Sequence, residues 1–173
     1  KNQYVAQIPC WSVFDKQNLA KKLNNTGIVP ITHLERSTLQ NDKWYIVKPP
    51  KGSLGKGIYF QRNLSTIRDE LVQEVEQTVL YHGHKIDMRV FVLVTSLDPL
   101  LVYVYEEGYG KVAAAPFEEL NEANKHRADI HLTNFAVSSQ FLSQKVEPFI
   151  THTQFFTYLF EQPEYQLLRD NIL

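Results

Sequence analysis

The chain has 173 residues, 43% of them hydrophobic, 21% charged and 12% aromatic, the mixture of a folded globular protein and not of a disordered or fibrous one. Eighteen Lys and Arg against nineteen Asp and Glu give a formal charge of -1, which excludes the basic footprint of a general nucleic-acid binder. Apolar runs such as Val90 to Val94 are far too short to span a bilayer. The one cysteine, Cys10, cannot close an internal disulfide, so a reducing compartment is expected. Folding at this size buries roughly 70% of the unfolded surface, enough for a core without covalent staples. No basic stretch followed by an apolar one opens the chain, and its one methionine is Met88. The sequence therefore reads as a piece of something longer, with part of any site outside it.

In chain order, Asp15 is placed to cap a short helix through Lys22, which Thr26-Gly27 would end. Trp44 to Lys48 (WYIVK) is aromatic and β-branched and stops at Pro49-Pro50, as a strand does. The glycine-rich stretch KPPKGSLGKG follows, and strand character resumes at Ile58-Tyr59-Phe60. Residues 64 to 79 support two readings: Ile67, Leu71, Val75 and Val79 recur like a helix face, while Leu71-Val72 and Val75 suit a short buried strand. From Ile86 to Thr95 apolar and polar residues alternate as in one strand. Asp98-Pro99 turns the chain, and Leu100 to Glu106 returns as the second arm of a hairpin. Thr151 to Glu161 and Pro163 to Leu173 read as two helices, the second opened by proline at its first position. The class is α+β with antiparallel sheets.

Two constellations carry chemistry. Gly52, Gly55 and Gly57 let the backbone bend closely around a ligand, and free N–H groups in such a bend attract phosphate oxygens. Lys48, Lys51 and Lys56 add charge. The spacing fits neither a P-loop nor a dinucleotide fingerprint, both of which open a helix; strand, glycine loop and strand make a flap that can close over phosphates, or simply a hairpin turn with solvated lysines. The second constellation is Lys85, Asp87 and Arg89, which share one strand face at i, i+2 and i+4. Because Phe91 and Leu93 continue that face, it is expected to run into buried surface, where a charged cluster is more often functional. His131-Leu132-Thr133-Asn134 is a run of hydrogen-bonding side chains with little meaning by itself. His82-Gly83-His84 lacks a matching partner pair for zinc. Cys10 beside Trp11 is a buried thiol before it is a nucleophile, and Phe155, Phe156, Tyr158 and Phe160 are core packing.

Taken together and in order, WYIVKPPKGSLGKGIYF at 44–60, Gln73 with VEQTVLY after it, KIDMRVFVLVTSLDPLLVYVYEEG at 85–108 and HLTNFAV at 131–137 resemble the tubulin tyrosine ligase-like family of ATP-grasp ligases. A weaker likeness covers Lys16-Gln17-Asn18-Leu19 and Pro30 to Leu34. The resemblance spans about residues 16–139, and four ordered motifs are far more specific than any one. It implies an ATP-grasp fold of mostly antiparallel sheets flanked by helices, incomplete at its C-terminus: an N-terminal segment at 1–43, a nucleotide-binding subdomain with the flap at 44–78, and a second subdomain at 79–173. It also implies a short helix near 64–70 followed by a hinge strand around Gln73.

Residue by residue, the resemblance implies that Lys16 and Lys48 contact ATP phosphates and that Gly52, Ser53, Gly55, Lys56 and Gly57 form the covering flap. Gln73 and Val75 would meet adenine, and Lys85 and Asp87 would face the nucleotide. Arg89, Lys111 and His131 would serve catalysis, with Thr133 and Asn134 beside them. Family enzymes activate a glutamate carboxylate as an acyl phosphate that an amino acid's amine attacks. Fixed positive charge from Lys48, Arg89 and Lys111 suits both the phosphoryl group and the oxyanion. ATP and magnesium are the implied cofactors. The implied partners are a free amino acid (Glu, Gly or Tyr) and the C-terminal tail of tubulin or a similar acidic protein. A monomeric, cytoplasmic, cytoskeleton-associated protein is expected.

The chain departs from the family pattern at three points. Lys111 stands where the family places an arginine, which exchanges a bidentate carboxylate clamp for a point charge. Ser139 stands where a lysine usually follows the HLTN motif. The metal-binding carboxylates and the Glu-x-Asn strand belong downstream, beyond Leu173; Glu119-Leu120-Asn121 and Glu122-Ala123-Asn124 imitate the latter in a polar stretch without strand character. These departures keep open a catalytically inactive module that binds nucleotide or tubulin as a scaffold, and an ATP-grasp ligase for an unrelated small substrate.

Overall fold

A computed structural model describes residues 15–51, 54–65, 67–141 and 147–165, apart from the side chains of 137 and 138. Cys10, Trp11, Gly52, Ser53 and the stretch from 166 to Leu173 lie outside the described residues. The chain divides into two compact units, Lys1–Glu76 and Gln77–Leu173.

In the first unit, α1 (Lys16–Leu23) starts at Asp15, whose carboxylate accepts from the Gln17 and Asn18 N–H groups at 3.0 Å each. That satisfies two of the donors a helix start leaves open. Asn24 ties the helix end to the sheet: its Oδ1 accepts from the Thr32 N–H at 2.6 Å and its Nδ2 donates to the Thr32 carbonyl at 3.0 Å. Four strands, β1 (Thr32–His33), β2 (Tyr45–Lys48), β3 (Tyr59–Gln61) and β4 (Leu71–Glu74), form an antiparallel sheet in the order β1-β4-β2-β3. Alternation in β2 sends Tyr45 and Val47 inward onto Val72, against Leu39, Leu64 and Ile67. The glycine loop joins β2 to β3, as expected for strand, loop and strand. The strand expected around Gln73 is β4. The helix expected near 64–70 does not form: residues 64, 65 and 67–70 are irregular. Leu64 and Ile67 pack against the core without helical backbone, and of the four-residue series Leu71 lies on β4 while Val79 is exposed.

In the second unit, β5 (Leu80–Tyr81), β6 (His84–Arg89), β9 (Tyr109–Val112) and β10 (Phe149–Thr151) form a sheet in the order β10-β9-β6-β5. Its first turn is His82-Gly83, both at positive φ (47° and 79°), the pair that a two-residue hairpin loop requires. Helix α4 (His152–Glu161) packs on this sheet. Thr151 and Gln154 close a capping box at its start, and Ile86, Val112, Ile150, Phe155 and Leu159 form the core. Of the aromatic run, Phe155 is buried while Phe156 is 43% exposed. The second helix expected from Pro163 is a short 3-10 turn over Pro163–Tyr165 within the described residues. Two four-residue helices, α2 (Ala128–His131) and α3 (Phe135–Ser138), carry the HLTN motif between them.

The single strand expected from Ile86 to Thr95 is two strands. After β6 the chain leaves the sheet at Val90-Phe91, and β7 (Val92–Leu97) pairs with β8 (Leu100–Val104) as a separate ribbon. Alternation runs unbroken through the change of partner, so it does not reveal it. Phe91 and Leu93, expected to be buried, are 48% and 62% exposed.

Candidate functional site

Each unit gathers sequence-predicted residues around a lysine. In the first, Lys48 at the end of β2 donates through Nζ to Gln73 Oε1 on β4 at 2.6 Å. Gln73 is buried, and its Nε2 donates to Thr32 Oγ1 on β1 at 2.9 Å. A chain of three strands thereby fixes the lysine's direction. Lys16 on α1 joins Lys48 and Gln73, with Leu19, Val29 and Leu71, around a depression of about 220 Å³. The arrangement offers two cations above an apolar floor. Val75 follows β4, half-buried, its N–H on the Trp44 carbonyl at 3.3 Å.

The described part of the flap turns sharply. Leu54, Gly55 and Gly57 have φ of 62°, 77° and 73°. Gly57 lies over Pro49, whose Cγ would be 3.4 Å from any added Cβ. Only glycine combines that conformation with that approach at no steric cost. Lys56 is exposed on the turn.

In the second unit, antiparallel pairing sets Asp87 on β6 opposite Lys111 on β9, with Lys111 Nζ 3.8 Å from Asp87 Oδ2. The hydroxyl of Thr133, which is 3% exposed, donates to the same carboxylate oxygen through a short bond. Lys85 lies two residues before Asp87, and burial pushes its ammonium below the ordinary lysine range against the opposing pull of Asp87. His131 is buried at the end of α2, and burial first, then the Lys85 charge, holds its imidazole below the usual histidine value. Lys85, Asp87, Lys111, His131 and Thr133 are thus one cluster. Arg89, one alternation further along β6, pairs with Tyr109 and is exposed. Asn134 is half-buried beyond Thr133, and Ser139 opens the turn after α3, its N–H on the Phe135 carbonyl.

Sequence reasoning missed two residues of these clusters. Thr32 orients Gln73; the weaker likeness over Pro30 to Leu34 covers it but gives it no role. Asn124, seen in the sequence only as a mimic of Glu-x-Asn, is buried with its side-chain oxygen 3.2 Å from His131 Nε2; the Asn121-x-x-Asn124 spacing of a side-chain-capped turn was the available signal. His84, set aside as a zinc ligand, donates through Nδ1 to the Ala113 carbonyl at 2.9 Å. Among the described residues no three His, Cys, Asp or Glu side chains gather as a metal site, and no helix is long and apolar enough to cross a membrane.

A mixed, sheet-rich α+β fold with lysine-centred polar clusters on antiparallel strands is compatible with an ATP-grasp-like architecture. The model of the tubulin-tyrosine ligase family matches residues 17–159, and the chain belongs to that family. It is similar to a human protein named tubulin polyglutamylase TTLL13, 40% identical over 98 residues that cover 54% of this chain and 12% of the relative. It is also similar to mouse tubulin polyglutamylase TTLL7, 36% identical over 103 residues covering 57% of this chain and 11% of the relative. A third relative, tubulin polyglutamylase ttll-5 of Caenorhabditis elegans, is 34% identical over 98 residues covering 54% of this chain and 13% of the relative. The matched stretch is thus about an eighth of the length of these relatives.

Proposed function

We propose that the chain is part of an ATP-dependent ligase that joins an amino acid, glutamate above all, to a side-chain carboxylate on the acidic tail of tubulin. The observation that carries this reading is the Lys85, Asp87, Lys111, His131 and Thr133 cluster in a chain of this family, whose named relatives above are tubulin polyglutamylases. In the reaction, a carboxylate oxygen attacks the terminal phosphorus of ATP and ADP leaves. The amine nitrogen then attacks the acyl carbon, the tetrahedral adduct expels phosphate, and the nitrogen loses its proton. Both steps build negative charge on oxygen, which fixed cations stabilise without reorganising.

Lys16, Lys48 and Gln73 hold nucleotide in the first unit, with the flap from Gly52 through Ser53, Gly55, Lys56 and Gly57 over the phosphates and Val75 beside the base. Lys85, Asp87, Thr133 and Asn134 face nucleotide in the second unit. Arg89 and Lys111 meet the developing oxyanion, and His131 lines the same reaction centre. Among the described residues no three His, Cys, Asp or Glu side chains gather around one point; a magnesium ion bound with ATP would take most of its ligands from the phosphates and water. A cytoskeleton-associated protein follows from the substrate.

A second reading, an inactive scaffold on nucleotide or tubulin, is favoured by Lys111: it stands beside Asp87 at 3.8 Å, where its charge is partly answered by the protein itself. Labelled Glu, Gly and Tyr, offered with ATP and tubulin to the full-length protein and to its Lys111→Arg variant, separate the two readings. Incorporation of glutamate, retained or raised by Lys111→Arg through a second parallel hydrogen bond to the anion, supports the ligase. Absence of all three labels with both proteins, while tubulin still binds, establishes the scaffold.

A further inference from the structure

We propose that His33 and Lys43 are positioning residues for nucleotide binding: by gripping the Glu74 carboxylate from the two neighbouring strands they fix the end of β4, and with it Gln73 and Val75 on either side of Glu74. The inference deepens the nucleotide reading of the first unit and rests on it for its effect on binding.

Strand β1 has only two residues, and each fastens β4 on a different face of the sheet, because successive side chains of a strand point opposite ways. Thr32 stands opposite Gln73 and accepts from its Nε2 at 2.9 Å. On the other face His33 Nε2 is 3.2 Å from Glu74 Oε1. An ionised carboxylate only accepts, so this ring nitrogen is the donor. From the β2 side Lys43, two residues before that strand, donates through Nζ to both Glu74 oxygens at 3.2 Å and 3.0 Å. The His33 and Glu74 side chains are only 7% and 17% exposed, so the pair is little screened by water. Burial pushes the Glu74 carboxyl up, but the bonds from Lys43 and His33 outweigh it and hold the group below the usual carboxylate range.

The grip is itself braced. His33 Nδ1 is 2.7 Å from the Thr38 hydroxyl on a 3-10 turn over Arg36–Thr38, and the ring meets the Tyr45 ring edge-on at 5.2 Å. Tyr45 is fully buried and stands opposite Glu74 in the β2–β4 pair. The next ladder bond, from the Val75 N–H to the Trp44 carbonyl, is long at 3.3 Å, and the first unit ends one residue later at Glu76. The direction in which Val75 leaves the sheet therefore depends on how firmly Glu74 is held.

The test is calorimetry of the full-length protein with two probes, ATP and inorganic tripolyphosphate, which carries the phosphates without a base. His33→Leu removes the donor, and it should weaken ATP binding by about three- to tenfold, part of the value of a hydrogen bond to a charged group. Tripolyphosphate meets the lysines alone and should bind wild type and variant within about twofold of each other. His33→Gln keeps an N–H donor of similar reach and should return ATP affinity towards wild type. Unchanged ATP affinity in folded His33→Leu, equal weakening of both probes, or no recovery in His33→Gln overturns the proposal while leaving the nucleotide reading in place. Should the leucine variant fail to fold, Lys43→Met removes the other partner of the same carboxylate from a more exposed position, and unchanged ATP affinity there overturns the proposal equally. Wild-type protein that binds no ATP overturns the nucleotide reading itself, and this inference with it.

Discussion

Lys48 shows what a single side chain contributes when its direction is fixed. Its ammonium is anchored by Gln73, which Thr32 holds in turn. An anion bound at Lys48 therefore meets a charge whose orientation has already been set by folding. On the nucleotide reading, Lys48→Ala removes a charge-assisted hydrogen bond worth about 1.5 to 3 kcal/mol, a weakening of ATP binding by roughly ten- to a hundredfold. Calorimetry on the full-length protein measures it, and unchanged affinity would leave the glycine stretch as a plain hairpin turn. The lysine and its loop are legible in the sequence because charge and glycine content are local properties. Thr32 is not: its role depends on β1 pairing with β4 across about forty residues, and threonine in a two-residue strand has no distinguishing pattern.

At the scale of elements, close approach matters more than charge. Gly108, just before β9, has the Arg89 carbonyl and the His152 ring so near that an added Cβ would lie well inside contact distance of both. Glu107 fastens the same place. Its carboxylate accepts from the Gly108, His152 and Thr153 N–H groups and from the Thr153 hydroxyl, so it covers the start of α4. Since the Arg89 carbonyl is backbone and cannot rotate aside, Gly108→Ala should cost about 1 to 3 kcal/mol or more by overpacking, read as a lower denaturant midpoint in the full chain. The polar stretch before α2 makes a pH-dependent contribution. The Arg127 guanidinium grips Asp129 at 2.8 Å and 2.6 Å and holds its carboxyl below the usual range. A group more acidic in the folded state than in the unfolded chain stabilises the fold above its unfolded pKa, about 3.9 for aspartate. That contribution fades as pH falls through the lower folded value. Asp129→Asn should thus flatten the acid limb of a stability-against-pH curve below about pH 4, and an unaltered limb would show that the pair contributes nothing.

For the molecule as a whole, the ribbon of β7 and β8 is the outlying feature. Leu93 and Tyr103 face each other across it and are 62% and 57% exposed, and Val92, Val104 and Leu100 are more than half exposed. Contiguous exposed apolar surface on a two-stranded ribbon favours association of the isolated chain. Leu93→Lys with Tyr103→Glu places opposite charges on one cross-strand pair. This double change should raise the concentration at which the chain stays monodisperse, while stability stays within about 0.5 kcal/mol because neither side chain is in a core. Sedimentation and thermal melts check the two halves of that expectation.

What the sequence determined by itself was local or additive. The class, the cap at Asp15, the strand-loop-strand around the glycines, and the membership implied by four ordered motifs all rest on neighbouring residues or on composition. Tertiary structure decided which strands pair, and hence everything that depends on pairing. The alternation from Ile86 to Thr95 is the same whether the chain stays beside β9 or crosses to β8, so neither the break at Val90-Phe91 nor the exposure of Leu93 could be read from it. The irregular backbone at 67–70 carries Ile67 into the core as well as a helix would. Asn124 and His131 are seven residues apart, a helix-face spacing, yet no continuous helix joins them. Only the folded turn brings the amide oxygen to the ring, because a hydrogen bond depends on where two atoms lie and not on how far apart they are in the chain.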